Sequence, residues 1–218
     1  MESKVRQSKK NDLVIRFALL ALGMLFVSIG TTLTMKANLG QTSVSAFAKN
    51  IEYLSSIKSG TILAAVNYVC FFIQIILLKK EFKIIQVFQL VLTTIFGVMV
   101  NFFLYDLAIT ANMGSDTYIL KLTILIAGLL LTTFGVGTMI KANLIFLPFE
   151  GFCNAVVYKV GKPFSTVRPI IDAVIVLISV VLIIVFNIPN TSVREGTIIC
   201  TLLFGKLVGF FTKNIYKC

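Results

Sequence analysis

Apolar residues in this chain come in long unbroken runs. Leu13 to Met35 is the first, 23 residues. As a helix it reaches about 34 Å at ~1.5 Å per residue, enough for the roughly 30 Å of a bilayer's hydrocarbon. Thr61 to Leu78, Ile84 to Leu107, Tyr118 to Ile140, Ser165 to Phe186 and Gly196 to Ile215 are five more runs of this kind. Two intervening stretches differ. Gln41 to Ser56 carries Lys49, Asn50, Glu52 and several hydroxyls, with Val44, Phe47, Ile51 and Leu54 at helical spacing. Leu144 to Val160 is more apolar but is broken by Pro148, Glu150 and Gly151. Each predicts a short re-entrant or interfacial helix beside the long spans.

The pattern repeats. At an offset of 105 residues Gly23 falls on Gly128, Gly30 on Gly135, and Lys36-Ala-Asn-Leu39 on Lys141-Ala-Asn-Leu144. Phe47 then falls on Phe152, Tyr53 on Tyr158 and Asn67 on Asp172. After a three-residue insertion the offset is 108, and Phe96-Gly97 falls on Phe204-Gly205. Glycine, lysine and asparagine recurring at a fixed offset mark a duplication. The expected organisation is a basic tail (1–12), a first membrane repeat (13–107), a linker (108–117) holding Asp116, and a second repeat with a short basic tail (118–218). Three spans per unit is an odd number, so the two halves sit inverted. The fold class is an all-α membrane protein, a polytopic bundle of two three-span repeats, each with one additional short helix.

Charge fits this picture. Of 218 residues 57% are hydrophobic and 13% charged, the latter about half the soluble average of about 25%. The net charge of +11 sits in residues flanking apolar runs, which points to membrane topology and lipid headgroups and away from nucleic acid. Six spans with a cytoplasmic amino terminus place thirteen Lys and Arg residues inside, Arg168 among them, against five outside. Eight crossings would move Lys79, Lys80 and Lys83 outside, so both termini are expected in the cytoplasm of a bacterial cell.

Several landmarks carry a family resemblance. Gly30…Ala37-Asn-Leu-Gly40, its echo Ala142-Asn-Leu144…Pro148, and Glu195-Gly-Thr197…Phe204-Gly-Lys206 resemble the YczE/YyaS/YitT group of bacterial integral membrane proteins. The likeness runs from about Arg16 to Phe211. In the form of that group the first turn continues Leu-Gly-x-x-Pro; here Ser43 stands at or near the proline and Ile145 replaces the second glycine. The resemblance implies a polytopic protein of the transporter kind and no residue roles.

The remaining chemistry is sparse. There is no histidine, no paired-cysteine motif among Cys70, Cys153, Cys200 and Cys218, and no nucleophile elbow or phosphate loop. No enzyme, metal or cofactor is expected, and the cysteines read as small buried thiols. Ionisable residues inside apolar sequence are the functional candidates. Asp172 lies a third of the way into its span, one turn after Arg168, and Glu150 lies in the broken segment. Asn38, Thr42, Ser43 and Ser45 form the polar turn of the first copy, with Asn143 its counterpart and Asn67 the counterpart of Asp172. Each also has a plainer role, as cap, helix-packing group or interhelical hydrogen bond. Lys36 and Lys141 read as helix ends, and the glycines, Gly137 included, as close-packing positions.

The expected site is the meeting point of the two short helices, where one of two neighbouring carboxyls takes up a proton. The expected function is secondary transport of a small solute, driven by protons. The alternative is an accessory or substrate-binding subunit of a larger membrane complex. The bilayer, the solute and either a second copy or a partner subunit are the expected partners.

Overall fold

The computed structural model describes residues 2–107, 117–189 and 192–214, with side chains from 13 to 213. Among them lie eight α-helices: α1 (Glu2–Lys36), α2 (Ser43–Ser55), α3 (Ser59–Leu78), α4 (Gln89–Asn101), α5 (Tyr118–Ala142), α6 (Pro148–Val160), α7 (Phe164–Phe186) and α8 (Glu195–Asn214). A 3-10 turn and a π turn extend α4 at either end into one 23-residue span, Ile84–Asp106. Six helices are therefore long and apolar enough to cross a membrane. The protein is a polytopic all-α membrane protein. The helices α2 and α6 have 13 residues each, about 20 Å, too short to span. Of the expected linker only Thr117 is described, and Asp116 and Cys218 lie outside the described residues.

The two halves are inverted, and glycine shows it. Gly23 of α1 packs on Gly135 of α5, and Gly30 packs on Gly128. Low number meets high number, so the first spans of the two repeats run antiparallel. The offset that equates Gly23 with Gly128 and Gly30 with Gly135 thus exchanges the two contacts, as a two-fold axis in the membrane plane requires. The approach is close enough to need hydrogen at these positions: a Cβ on Gly30 would lie 2.5 Å from the Thr132 nitrogen and 2.6 Å from the Gly128 carbonyl oxygen.

Each short helix leaves its own half and packs on the other. Helix α2 lies along α7, with Ser43 at Asp172 and the Asn50 side-chain amide donating to the Ser179 carbonyl at 3.1 Å. Helix α6 lies along α3 in the equivalent way, with the Phe149 N–H donating to Asn67 Oδ1 at 3.0 Å and Gly151 set against Gln74. In both pairs numbering rises together, so each short helix is parallel to its long partner and carries its buried amino end inward. The turn into α2 is held across the halves as well. Leu39 accepts from the Gly196 N–H at 2.8 Å and Gln41 donates to Thr197 Oγ1 at 3.0 Å. Gly40 sits there at φ +95°, where a side chain is both strained and obstructed by Thr197.

Large apolar side chains cover the outside. Ile170, Val174, Leu177, Val181, Ile184 and Val185 of α7 are all at least half exposed, a surface whose natural solvent is lipid. Polar residues instead face inward. Ser28, Thr32, Asn67, Gln74 and Asp172 are buried, and Cys70, Cys153 and Cys200 are buried free thiols.

Candidate functional site

The inward faces converge on a buried charge cluster at the starts of α6 and α7. The Arg168 side chain is 4% exposed. Its Nε donates to Asp172 Oδ2 at 2.9 Å and its Nη1 to Glu150 Oε1 at 3.3 Å. The guanidinium carbon lies 4.4 Å from the ring centres of both Phe149 and Phe204, so the cation is held by two carboxylates and two aromatic rings. The second oxygen of Asp172 accepts from the Ser43 hydroxyl at the first turn of α2. An anion at that end is favoured by the unpaired N–H groups of the helix start. At the start of α6 the neutral Asn67 carbonyl accepts directly from the Phe149 backbone N–H, and Pro148 at the first helical position needs no donor partner. The first turn of each short helix is thus held by a polar side chain of the opposite half.

A cavity of 50 Å³ lies between these groups, large enough for a few water molecules. Its lining is the clearest statement of symmetry in the molecule. Val27 is paired by the repeat with Thr132, Thr31 with Val136, Thr42 with Leu147, Val44 with Phe149, Ser45 with Glu150, Leu63 with Arg168, and Phe96 with Phe204, and all fourteen line the cavity. Asn67, also in the lining, pairs with Asp172. The cavity therefore sits on the two-fold axis and all eight helices reach it. The charge does not follow the symmetry. Ser45, Leu63 and Asn67 in the first half stand where Glu150, Arg168 and Asp172 stand in the second.

A second cavity, of 530 Å³, opens beside the first and shares Glu150 with it. Ile140, Phe146, Asn154, Phe164, Ser165, Gly205, Gly209 and Thr212 line it. The equivalent place in the first half is closed. Met35, Gln41, Ser59 and Leu104 are all buried, whereas their counterparts Ile140, Phe146, Phe164 and Thr212 are partly exposed. The glycines report the same difference. A Cβ on Gly97 would lie 2.7 Å from the Gly60 oxygen, whereas on Gly205 it would lie 3.8 Å from Ser165. Glu52 seals the closed side by accepting from Tyr105 at 2.5 Å, from Lys49 at 3.1 Å and from Ser59. These donors outweigh burial and hold its carboxyl below the usual range. Burial instead pushes the Glu150 carboxyl up, against the pull of Arg168.

The structure brings together Glu150, Asp172, Asn67, Thr42 and Ser43. It does not bring Asn38 or Asn143. Both are exposed and left-handed, at φ 53° and 47°, and end α1 and α5; asparagine serves there because it tolerates that conformation. Thr42 is the residue before α2 but makes no side-chain cap, its hydroxyl donating to Ser45 at 2.9 Å. Arg168, counted from sequence as an inner flanking charge, is a buried member of the site. Its signal is an arginine and an aspartate four apart on one face of an apolar helix. With it present, the two carboxyls share a counter-ion, and the pairwise repulsion that would force a proton onto one of them is relieved. Among the described residues, no three His, Cys, Asp or Glu side chains gather to hold a metal ion.

The Asn67 cap is open to a direct check. Asn67→Ala leaves the Phe149 N–H buried and unpaired, at a cost of about 1–3 kcal/mol. Asn67→Asp, which keeps the acceptor, should retain more of that stability in thermal melts of the purified protein.

Inverted halves, two short helices that do not span and a charged cavity on the axis define a class of helical membrane protein with a central polar site. Residues 14–213 match the family described as Family of unknown function (DUF6198), and the chain belongs to it. No curated protein and no solved structure matches the chain.

Proposed function

We propose that this protein is a secondary transporter that moves a small solute across the cell membrane, coupled to protons at Glu150, Arg168 and Asp172. The observation that carries this reading is the charged cavity on the two-fold axis, where helix starts from opposite faces meet. Duplicated transporters place substrate and coupling ions at such an interface and alternate by rocking one repeat against the other. One open and one closed flank around a shared site is what a single state of that cycle requires. A proton arriving at Glu150 removes its charge, weakens its hold on Arg168 and leaves Asp172 as the sole anionic partner. That is a means of linking protonation to a change in packing. The likeness to the YczE/YyaS/YitT group belongs to the same proposal and adds no residue role.

The test is proton-driven uptake by purified protein in liposomes, screened over small solutes. Wild-type protein should accumulate one class of solute, and Glu150→Gln or Asp172→Asn should reduce uptake to the level of empty liposomes while inserting and folding. Wild-type rates with unchanged pH dependence in both variants would remove the site from the mechanism. A stoichiometric partner in native membranes, with no uptake by the protein alone, would favour the accessory-subunit reading.

The same reading places both termini in the cytoplasm, Lys80 inside and Ser56 outside. Single-cysteine variants at these two positions, labelled in whole cells with a membrane-impermeant thiol reagent, should react at Ser56→Cys only. Reaction at Lys80→Cys would reverse the orientation.

A further inference from the structure

The 530 Å³ cavity has a chemistry of its own, separate from the smaller central one. Its volume falls in the range of about 300–1,000 Å³ typical of small-molecule sites. Glu150 is the single ionisable side chain in its lining. Arg168 lines the central cavity and not this one, and Asp172 holds it through Nε. The cluster of two carboxylates and one guanidinium carries one more negative than positive charge, and Glu150 is the member that faces the open space. An anion entering here would meet that carboxylate first, because Arg168, which holds Glu150 Oε1 at 3.3 Å, lines only the central cavity. A cation would meet the carboxylate, the aromatic side chains of Phe146 and Phe164, and oxygen acceptors on Asn154, Ser165 and Thr212.

We propose that this cavity is the docking site of a small organic cation, an ammonium group on an apolar body, whose charge pairs with Glu150. The apolar body lies against the aromatic wall. The wall at Gly205 and the exposed Gly209 gives it room, since a Cβ at Gly209 would have nothing within 4 Å. The inference rests on the transporter reading and names the solute class for it. Because the first-half flank is closed, the ligand reaches Glu150 from one face only in this state.

Three probes of one shape test it by calorimetry on the purified protein in detergent: 2-phenylethylammonium, neutral 2-phenylethanol and anionic 3-phenylpropionate. The cation should bind about tenfold or more tighter than either of the others, as a charge-assisted pair implies. Glu150→Gln should erase that preference. Gly209→Trp, which fills the cavity without touching a charge, should abolish binding and leave the melting temperature unchanged, so loss of binding is separable from loss of fold. Tightest binding of the anion, equal binding of all three, or no binding overturns the proposal. Cation binding without liposome uptake upholds the site and removes the transporter reading. Uptake of the anion alone overturns the cation assignment and leaves the transporter reading standing.

Discussion

Arg168→Leu is expected to destabilise the protein by about 3–5 kcal/mol, the range for removing one partner of a buried ion pair. The loss comes from what stays behind. Glu150 and Asp172 remain in an apolar interior with no counter-ion, and two aromatic rings lose the cation between them. Arg168→Lys should recover part of the loss, because an ammonium cannot span both carboxylates as a planar guanidinium does. The repeat supplies a sharper comparison. In the first half the same three positions are Ser45, Leu63 and Asn67. The triple variant Glu150→Ser, Arg168→Leu, Asp172→Asn installs that neutral set in the second half and leaves no charge unpaired. It should melt within a few degrees of wild type, above Arg168→Leu alone, and show no solute uptake. A triple variant as unstable as Arg168→Leu would mean that the cluster holds the fold together, and its functional assignment would lose its support.

The crossing of α1 and α5 should be the most intolerant place in the chain. Gly30→Val sets a branched side chain where a Cβ alone lies 2.5 Å from one backbone atom and 2.6 Å from another. Backbone cannot rotate away as a side chain does, so the helices must separate. Separation along that axis also opens the contact of Gly23 with Gly135. The loss should exceed the ~1–3 kcal/mol of ordinary overpacking, and little folded protein should be recovered from membranes. Gly128→Val, the other face of the same contact, should behave alike. Gly205→Ala and Gly209→Ala are the controls. Their new Cβ atoms meet ordinary or open space, and alanine favours a helix over glycine by about 1 kcal/mol. Both should melt at or above the wild-type temperature. Equal tolerance at all four glycines would contradict the close crossing.

Much of this architecture is legible in the order of residues. Six long apolar runs fix the number of spans, because helices satisfy their own backbone hydrogen bonds and nothing else open-ended crosses lipid. The segment from Pro148 to Val160 announces its start through proline at the first helical position. Asp172 and Glu150 stand out because charge is rare in apolar sequence. Asn38 and Asn143 misled for a related reason. A polar residue in a repeated turn looks the same in sequence whether its side chain enters a site or its backbone ends a helix, and only the dihedral angle separates the two. Arg168 was read by its position near a span's end, which says nothing of the direction its side chain takes.

The sequence by itself determined the class of protein, the duplication, the inverted sense of its halves and two of the three buried charges. These follow from composition, period and offset, which are properties of local runs of chain. The tertiary structure alone decided that each short helix sets its first turn against a polar side chain of the opposite half, that Arg168 turns inward to join the carboxyls, and that one flank of the site is open while its repeat-related counterpart is shut. The contacts of the short helices with the opposite half join residues 82 to 129 positions apart. No local pattern encodes such distances. They are set by which packing of two nearly equivalent halves buries the polar groups best, and the unequal residues at Ser45 and Glu150, Leu63 and Arg168, and Asn67 and Asp172 place the charge in one half alone.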